Sequence, residues 1–92
     1  MLDAAFLVRP SSAGGRNQPY TLVVLYRRKV YNIPIRFIES NNQYALGKEK
    51  AGEMYFNSVP ETIDYYRQNS LILIDQQNNK KESTLLLYPV RL

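Results

Sequence analysis

The sequence predicts an α+β fold in which a central antiparallel sheet carries one helix, at residues about 58–68, on one face. Two segments rich in β-branched and aromatic residues, 20–26 and 29–37, are separated only by two arginines, which is typical of a hairpin. A helix-start signal follows in "NSVPE". The order of several strands, one helix and a further strand favours an antiparallel sheet over a wound parallel one.

Four strands are expected before the helix, at residues 5–9, 20–26, 29–37 and 43–46. The first strand is apolar on both faces, as is typical of a strand central to its sheet. In the third, four apolar residues alternate with polar ones and define one apolar face: Tyr31, Ile33, Ile35 and Phe37. Pro34 has no amide to donate, so this strand is expected at an edge or with a free flank at that residue.

The helix signal consists of a cap, a proline in the first turn and an apolar stripe. Ser58 can accept from a free amide, Glu61 can reach back to another, and Pro60 costs little at the start of a helix. The stripe follows at helical spacing: Val59, Ile63 and Tyr66.

Beyond the helix the pattern is weaker. Asn69 is expected as a left-handed helix stop. Residues 71–74 are expected as a buried extended segment, 75–83 as a polar loop and 84–88 as a last strand.

Composition narrows the function classes. A chain of 92 residues is expected to form one domain, 1–92. Cysteine and histidine are both absent, which removes the usual nucleophile–base pairs and transition-metal sites, so we expect no enzyme, no metal and no cofactor. The lack of cysteine favours a cytoplasmic protein, and no apolar run reaches the roughly 18 residues that indicate membrane insertion. The net charge of +4 favours an anionic partner.

Arg9 is the residue that suggests which anion. Alternation places it with Leu7 on one sheet face, and a loop with two serines and two glycines follows directly. A guanidinium, hydroxyls and main-chain amides are the groups that bind phosphate. The alternative is that Arg9 pairs with an internal carboxylate and the loop is an ordinary Ser/Gly turn.

The string "FLVR" at residues 6–9 resembles the signature strand of Src homology 2 (SH2) domains, which bind phosphotyrosine peptides. "YNIPIRF", "QYALG" and "FNSVPETIDYYRQNSL" follow in the order of that family, and the resemblance covers nearly the whole chain. Within the family, the chain is most similar to the B-cell linker group of adaptors. The resemblance implies a non-catalytic adaptor or scaffold module that binds a tyrosine-phosphorylated protein in intracellular tyrosine-kinase signalling, including immune receptor signalling.

The resemblance also implies residue roles. The phosphotyrosine-binding positions are Arg9, Ser11, Ser12, Ala13, Thr21 and Asn32. The positions that set peptide specificity are Ile33, Pro34, Leu46, Gly47, Ile74 and Asp75. Ile33 implies an apolar preference just after the phosphotyrosine.

The chain departs from the family in two ways. Asn32 and Pro34 replace a histidine and a lysine that many members carry in the pocket. The family's first helix is missing, so the domain is expected to be N-terminally truncated and its sheet to be uncovered at Leu7, Val23 and Leu25. We expect a neighbouring chain to meet this face in self-association, or the domain to be only marginally stable.

Two other functions remain open at this stage. One is a structural remnant or oligomerising module of the same fold with impaired phosphate binding. The other is a basic nucleic-acid-binding domain that uses the turn of Arg27, Arg28 and Lys29 together with stacking tyrosines. The resemblance favours a phosphoprotein partner and no nucleic acid.

Overall fold

The computed structural model describes residues 3–11, 17–75 and 77–90. Within these ranges the helix is α1, Val59–Gln68. The strands are β1, Ala5–Pro10; β2, Tyr20–Tyr26; β3, Lys29–Ile38; β4, Gln43–Leu46; β5, Leu71–Asp75; β6, Lys80–Thr84; and β7, Tyr88–Pro89. They form a five-stranded sheet in the order β4-β3-β2-β1-β7 and a separate β5-β6 hairpin, which confirms the α+β prediction. Among the described residues, no helix is long and apolar enough to cross a membrane.

The three long strands of the sheet are antiparallel, and their register separates two faces. Phe6 pairs with Val24, and Leu22 pairs with Ile33. Phe6, Val24 and Leu22 belong to the hydrophobic core with Leu71 and Leu73 of β5, and Ile33 packs against it. We call this side the covered face, because Val59, Ile63 and Tyr66 of α1 pack against it as the apolar stripe predicts.

The opposite side of the same strands is the open face. It consists of Leu7, Arg9, Thr21, Val23, Leu25, Val30 and Asn32. Val30 is 61% exposed, and the single described helix lies on the other side. The open face therefore contains Leu7, Val23 and Leu25, the side chains that the sequence predicts to be uncovered.

Turn chemistry explains where the long strands meet. Arg27 and Arg28 form a tight connection with φ values of 49° and 64°, the geometry of a two-residue hairpin turn whose twist suits antiparallel strands. The Asp3 carboxylate accepts a hydrogen bond from the Arg27 amide at 2.9 Å. This bond offsets part of the cost of a positive φ at a residue other than glycine.

The start of α1 follows the prediction with one difference. Ser58 accepts from the Glu61 amide at 3.2 Å, and Pro60 lies in the first turn. The Glu61 carboxylate reaches back to the amide of Asn57 at 2.7 Å instead of the cap residue's own amide.

The end of α1 differs from the prediction. Asn69 is extended, with φ −130°, so the expected left-handed stop is wrong. Its backbone and side-chain amides both donate to the Tyr65 carbonyl, at 2.9 and 3.0 Å, and this satisfies the carbonyl without a left-handed residue.

The region after the helix contains the main corrections. Leu71 and Leu73 are buried but Ile72 and Ile74 are exposed, because β5 has the core on one side only. The expected loop at 75–83 instead contains β6, which pairs with β5 from Leu71 with Thr84 to Asp75 with Lys80. The expected last strand at 84–88 is reduced to β7, which pairs with β1 in parallel, so the sheet is not wholly antiparallel.

The sequence predicts that Pro34 lies either in an edge strand or at a residue with a free flank. Its strand, β3, is internal to the sheet, between β2 and β4. Pro34 itself comes just beyond the last β3–β4 pair, Ile35 with Leu46. The expected edge position is therefore wrong, and the flank at Pro34 lies beyond the paired residues, where only its carbonyl is bonded, to the Gly47 amide at 2.8 Å.

Candidate functional site

Arg9 projects from β1 onto the open face, opposite Thr21 of β2. Its Nη2 donates a hydrogen bond to the side-chain oxygen of Asn32 at 3.4 Å. The residue is half-buried, and the described helix lies on the other side of the sheet. Three predicted phosphate-binding positions thus lie together, on three adjacent strands.

The charge of Arg9 has no carboxylate partner in the described parts of the chain. The alternative of pairing with an internal acid is therefore not observed there. A guanidinium has five N–H donors in a planar fork, and one long bond to an amide oxygen leaves most of them available. Such a group can bind an incoming anion without first breaking an ion pair.

Two hydroxyls lie beside this guanidinium. Ser11 follows β1 directly, and its Oγ lies 2.7 Å from the Thr21 Oγ1. The Ser11 amide donates to the Pro19 carbonyl at 3.1 Å, which fixes the backbone at the end of the strand. Whichever hydroxyl donates to the other, one O–H remains for a further acceptor.

Ser12 and Ala13, the remaining predicted phosphate-binding positions, lie outside the described residues, as do the glycines of the same loop. The structure thus brings together four of the six predicted positions: Arg9, Ser11, Thr21 and Asn32.

An open cleft of about 1360 Å³ lies between β3, the segment 46–54 and the β5-β6 hairpin. All six predicted specificity positions line it: Ile33, Pro34, Leu46, Gly47, Ile74 and Asp75. Ile74 is 60% exposed, which places an aliphatic side chain on the cleft wall and not in the core. Pro34 and Asn32 both lie in β3 and both line the cleft, so the cleft begins next to the side chain that accepts from Arg9.

Asp75 has strong partners already. Its carboxylate accepts from the Lys29 ammonium and from the Asn78 side-chain amide, the latter at 2.9 Å. The hydrogen bond from Lys29 lowers the pKa of Asp75 to about 2, with a further contribution from Asn78, and the same bond raises the pKa of Lys29. The ion pair ties the β5-β6 wall of the cleft to the start of β3.

Some cleft residues were not predicted. Ile72 is exposed and apolar, and Tyr66 of α1 also lines the cleft. The period-2 alternation of "LILID" could have identified Ile72 as outward-facing. The ion pairs carry no comparable signal in the sequence, because their partners are distant along the chain.

Chemically, the site offers a cation, hydroxyls and a cleft of mixed lining with exposed aliphatic side chains. In the described ranges, no three acidic, histidine or cysteine side chains are grouped closely enough to hold a metal ion. An arrangement of this kind binds an anionic group at the open face and extended chain beyond it.

The comparisons with known proteins agree on one family. A family model described as "SH2 domain" matches residues 1–66, from before β1 into α1. The B-cell linker protein of Gallus gallus is 61% identical over 89 residues, which are 97% of this chain and 16% of that protein. The B-cell linker protein of Mus musculus is 55% identical over 89 residues, covering 97% of this chain and 20% of that protein.

A more distant relative extends the pattern. Lymphocyte cytosolic protein 2 of Mus musculus is 50% identical over 76 residues, which are 83% of this chain and 14% of that protein. The chain thus spans a fifth or less of the length of these relatives. Sequence and fold lead to the same conclusion: the chain belongs to the SH2 domain family.

Proposed function

We propose that this chain binds tyrosine-phosphorylated peptides and serves as the recognition module of an adaptor in cytoplasmic tyrosine-kinase signalling. The observation that carries the proposal is the guanidinium of Arg9, which has no carboxylate partner in the described chain and lies beside two hydroxyls on the open face. A phosphotyrosine brings about −1.5 to −2 charges and three acceptor oxygens, which match this donor set. The module itself is proposed to be non-catalytic.

The relatives support the adaptor role. The name "B-cell linker protein" contains "linker" and the name "Lymphocyte cytosolic protein 2" contains "cytosolic", and in each case the similarity is confined to a small part of the relative. An adaptor needs a domain that joins partners without changing them. A phosphopeptide-binding module in the cytoplasm fits that requirement, and the immune-cell names favour immune receptor signalling as its setting.

The peptide is expected to run from the open face across β3 into the cleft. The phosphate meets Arg9, and the following residues meet Ile33 and then the wall at Ile74. Aliphatic side chains line this path, so apolar residues after the phosphotyrosine are favoured over charged ones.

Calorimetric titration with a phosphotyrosine peptide and its unphosphorylated counterpart tests the proposal. We expect binding only of the phosphorylated form. Arg9→Ala should lower the affinity at least about a hundredfold, because the phosphate loses the charged half of a partly desolvated pair. Arg28→Asn, which removes an arginine from the exposed hairpin turn and tolerates positive φ, is the matched control and should leave affinity within about twofold.

The test also separates the alternatives. If the wild-type chain binds no phosphopeptide, the structural-remnant function replaces this proposal. Binding to nucleic acid with steep salt dependence would favour the basic domain. That second function has weak support, because Arg27 is paired with Glu82 at 3.4 Å and Lys29 with Asp75, so two of the three basic residues of the turn already have partners.

Self-association through the open face stays a prediction. Light scattering combined with thermal melting checks it. A concentration-dependent mass or a marginal melting temperature is the expected result, and a stable monomer at all concentrations would contradict it.

A further inference from the structure

Residues 47–53 form one wall of the cleft. Gly47, the first of them, lies where the β3–β4 ladder is interrupted. The Gly47 amide donates to the Pro34 carbonyl at 2.8 Å. Antiparallel neighbours at such a position normally exchange two hydrogen bonds, the second from the amide of the facing residue. Proline has no amide hydrogen, so the second bond cannot form from the main chain.

The guanidinium of Arg36 takes the place of that amide. Its Nε donates to the Gly47 carbonyl at 2.5 Å. Gly47 itself has φ +80°, and the substitute donor reaches its carbonyl from two residues beyond Pro34 along β3. The missing bond at Pro34 is thereby replaced by a side chain of the same strand.

The same guanidinium also holds the far end of the wall. Its Nη2 forms an ion pair with the Glu53 carboxylate, and the two side chains are only 15% and 4% exposed. One planar group therefore fixes Gly47 and Glu53, while Lys48, Glu49 and Lys50 between them are exposed. Gly47 and Glu53 line the cleft, whereas Arg36 is not among the described residues that do.

We propose that Arg36 is a positioning residue for peptide selectivity: by holding both ends of residues 47–53, it sets the cleft wall that reads the residues after the phosphotyrosine. This inference rests on the proposed function. Arginine is required over lysine, because only the guanidinium presents Nε and Nη donors in a fixed plane toward two acceptors. The ammonium of lysine can keep the ion pair with Glu53 but cannot hold both acceptors in that geometry.

The test uses Arg36→Lys, which keeps a positive charge beside the buried Glu53 and so avoids an unpaired carboxylate. Three probes are titrated: phenyl phosphate, a phosphotyrosine peptide with leucine at the first and third following positions, and the same peptide with glycine there. We expect the leucine-over-glycine affinity ratio to fall about fivefold, the scale of one lost hydrogen bond, with the phenyl phosphate affinity unchanged. Arg67→Lys, in the exposed last turn of α1, is the matched control.

Pro34→Ala supplies the decisive comparison, because it returns an amide that can donate to the Gly47 carbonyl. In the Pro34→Ala background, Arg36→Lys should change the ratio by less than about twofold, so that the two substitutions are strongly non-additive. Hydrogen exchange of the Gly47 amide should accelerate about fivefold in Arg36→Lys and recover in the double variant.

The outcomes are distinct. If the wild-type chain binds none of the phosphorylated peptides, the proposed function fails. If the wild-type chain binds them and Arg36→Lys keeps the full leucine-over-glycine ratio, or loses it equally in both backgrounds, Arg36 does not position the wall and this inference fails.

Discussion

The two faces of the central sheet are built from the same strands and have different properties. On the covered face, Leu22, Val24 and Ile35 are fully buried. On the open face, Leu7 and Val23 are half-buried neighbours of Arg9 and Thr21. One face is apolar and closed by α1 and β5, whereas the other mixes aliphatic side chains with hydrogen-bond donors. The difference indicates that stability depends mainly on the first face, while the proposed phosphate recognition depends on the second.

The largest expected effect separates the faces by stability. Leu22→Ala should lower the free energy of unfolding by about 3 kcal/mol, because it leaves a cavity in a closed core. Val23→Ala, the next residue on the opposite face, should cost about 1 kcal/mol or less, because solvent can fill the space. Urea denaturation with an unchanged slope measures both. Equal losses would show that the open face is packed in solution.

A smaller effect should separate the faces by binding. Thr21→Val keeps the side-chain shape and removes the hydroxyl that pairs with Ser11, so the affinity for a phosphotyrosine peptide should fall about tenfold or less. Unfolding free energy should change little, since both groups are part-exposed. Thr84→Val, on the β5-β6 hairpin, is the control. A Thr21 variant with full affinity would remove this hydroxyl from the site.

The smallest effect concerns the ion pair that ties the hairpin to the covered face. The pKa of Asp75 is lowered from 3.8 to about 2 in the folded chain, so its stabilising contribution is complete above about pH 4 and is lost as the pH falls toward 2. Asp75→Asn removes this titration. The difference in unfolding free energy between wild type and variant should therefore shrink between about pH 4 and 2. A constant difference over that range would contradict the ion pair.

Sequence alone predicted the open face better than the region after the helix. The bounds of β2 and β4 are confirmed, because β2 is an unbroken run rich in β-branched and aromatic residues and flanking turns delimit both strands. By contrast, β6 consists of "KKEST", which has no apolar pattern, and only its pairing with β5 makes it a strand. The two-residue β7 likewise depends on β1.

The candidate site shows the same limit. Four predicted phosphate-binding positions meet as the family resemblance implies, since they lie on adjacent strands whose register follows from the hairpin turn. The bonds of Arg36 to Gly47 and Glu53 could not be predicted, because these residues lie 11 and 17 positions after Arg36 and no sequence pattern relates them. The pairing of Lys29 with Asp75 spans 46 positions and has no local signal.

The parallel contact of β7 with β1 has a practical consequence for how the molecule can be handled. Val90 donates to the Phe6 carbonyl at 2.8 Å, so the first and last described strands run side by side at one edge of the sheet. The cleft begins two strands away, at β3, toward the opposite edge. A sensor surface or fluorophore attached near either end of the described chain would therefore lie at the edge away from the cleft, and both attachments would present the molecule in the same orientation.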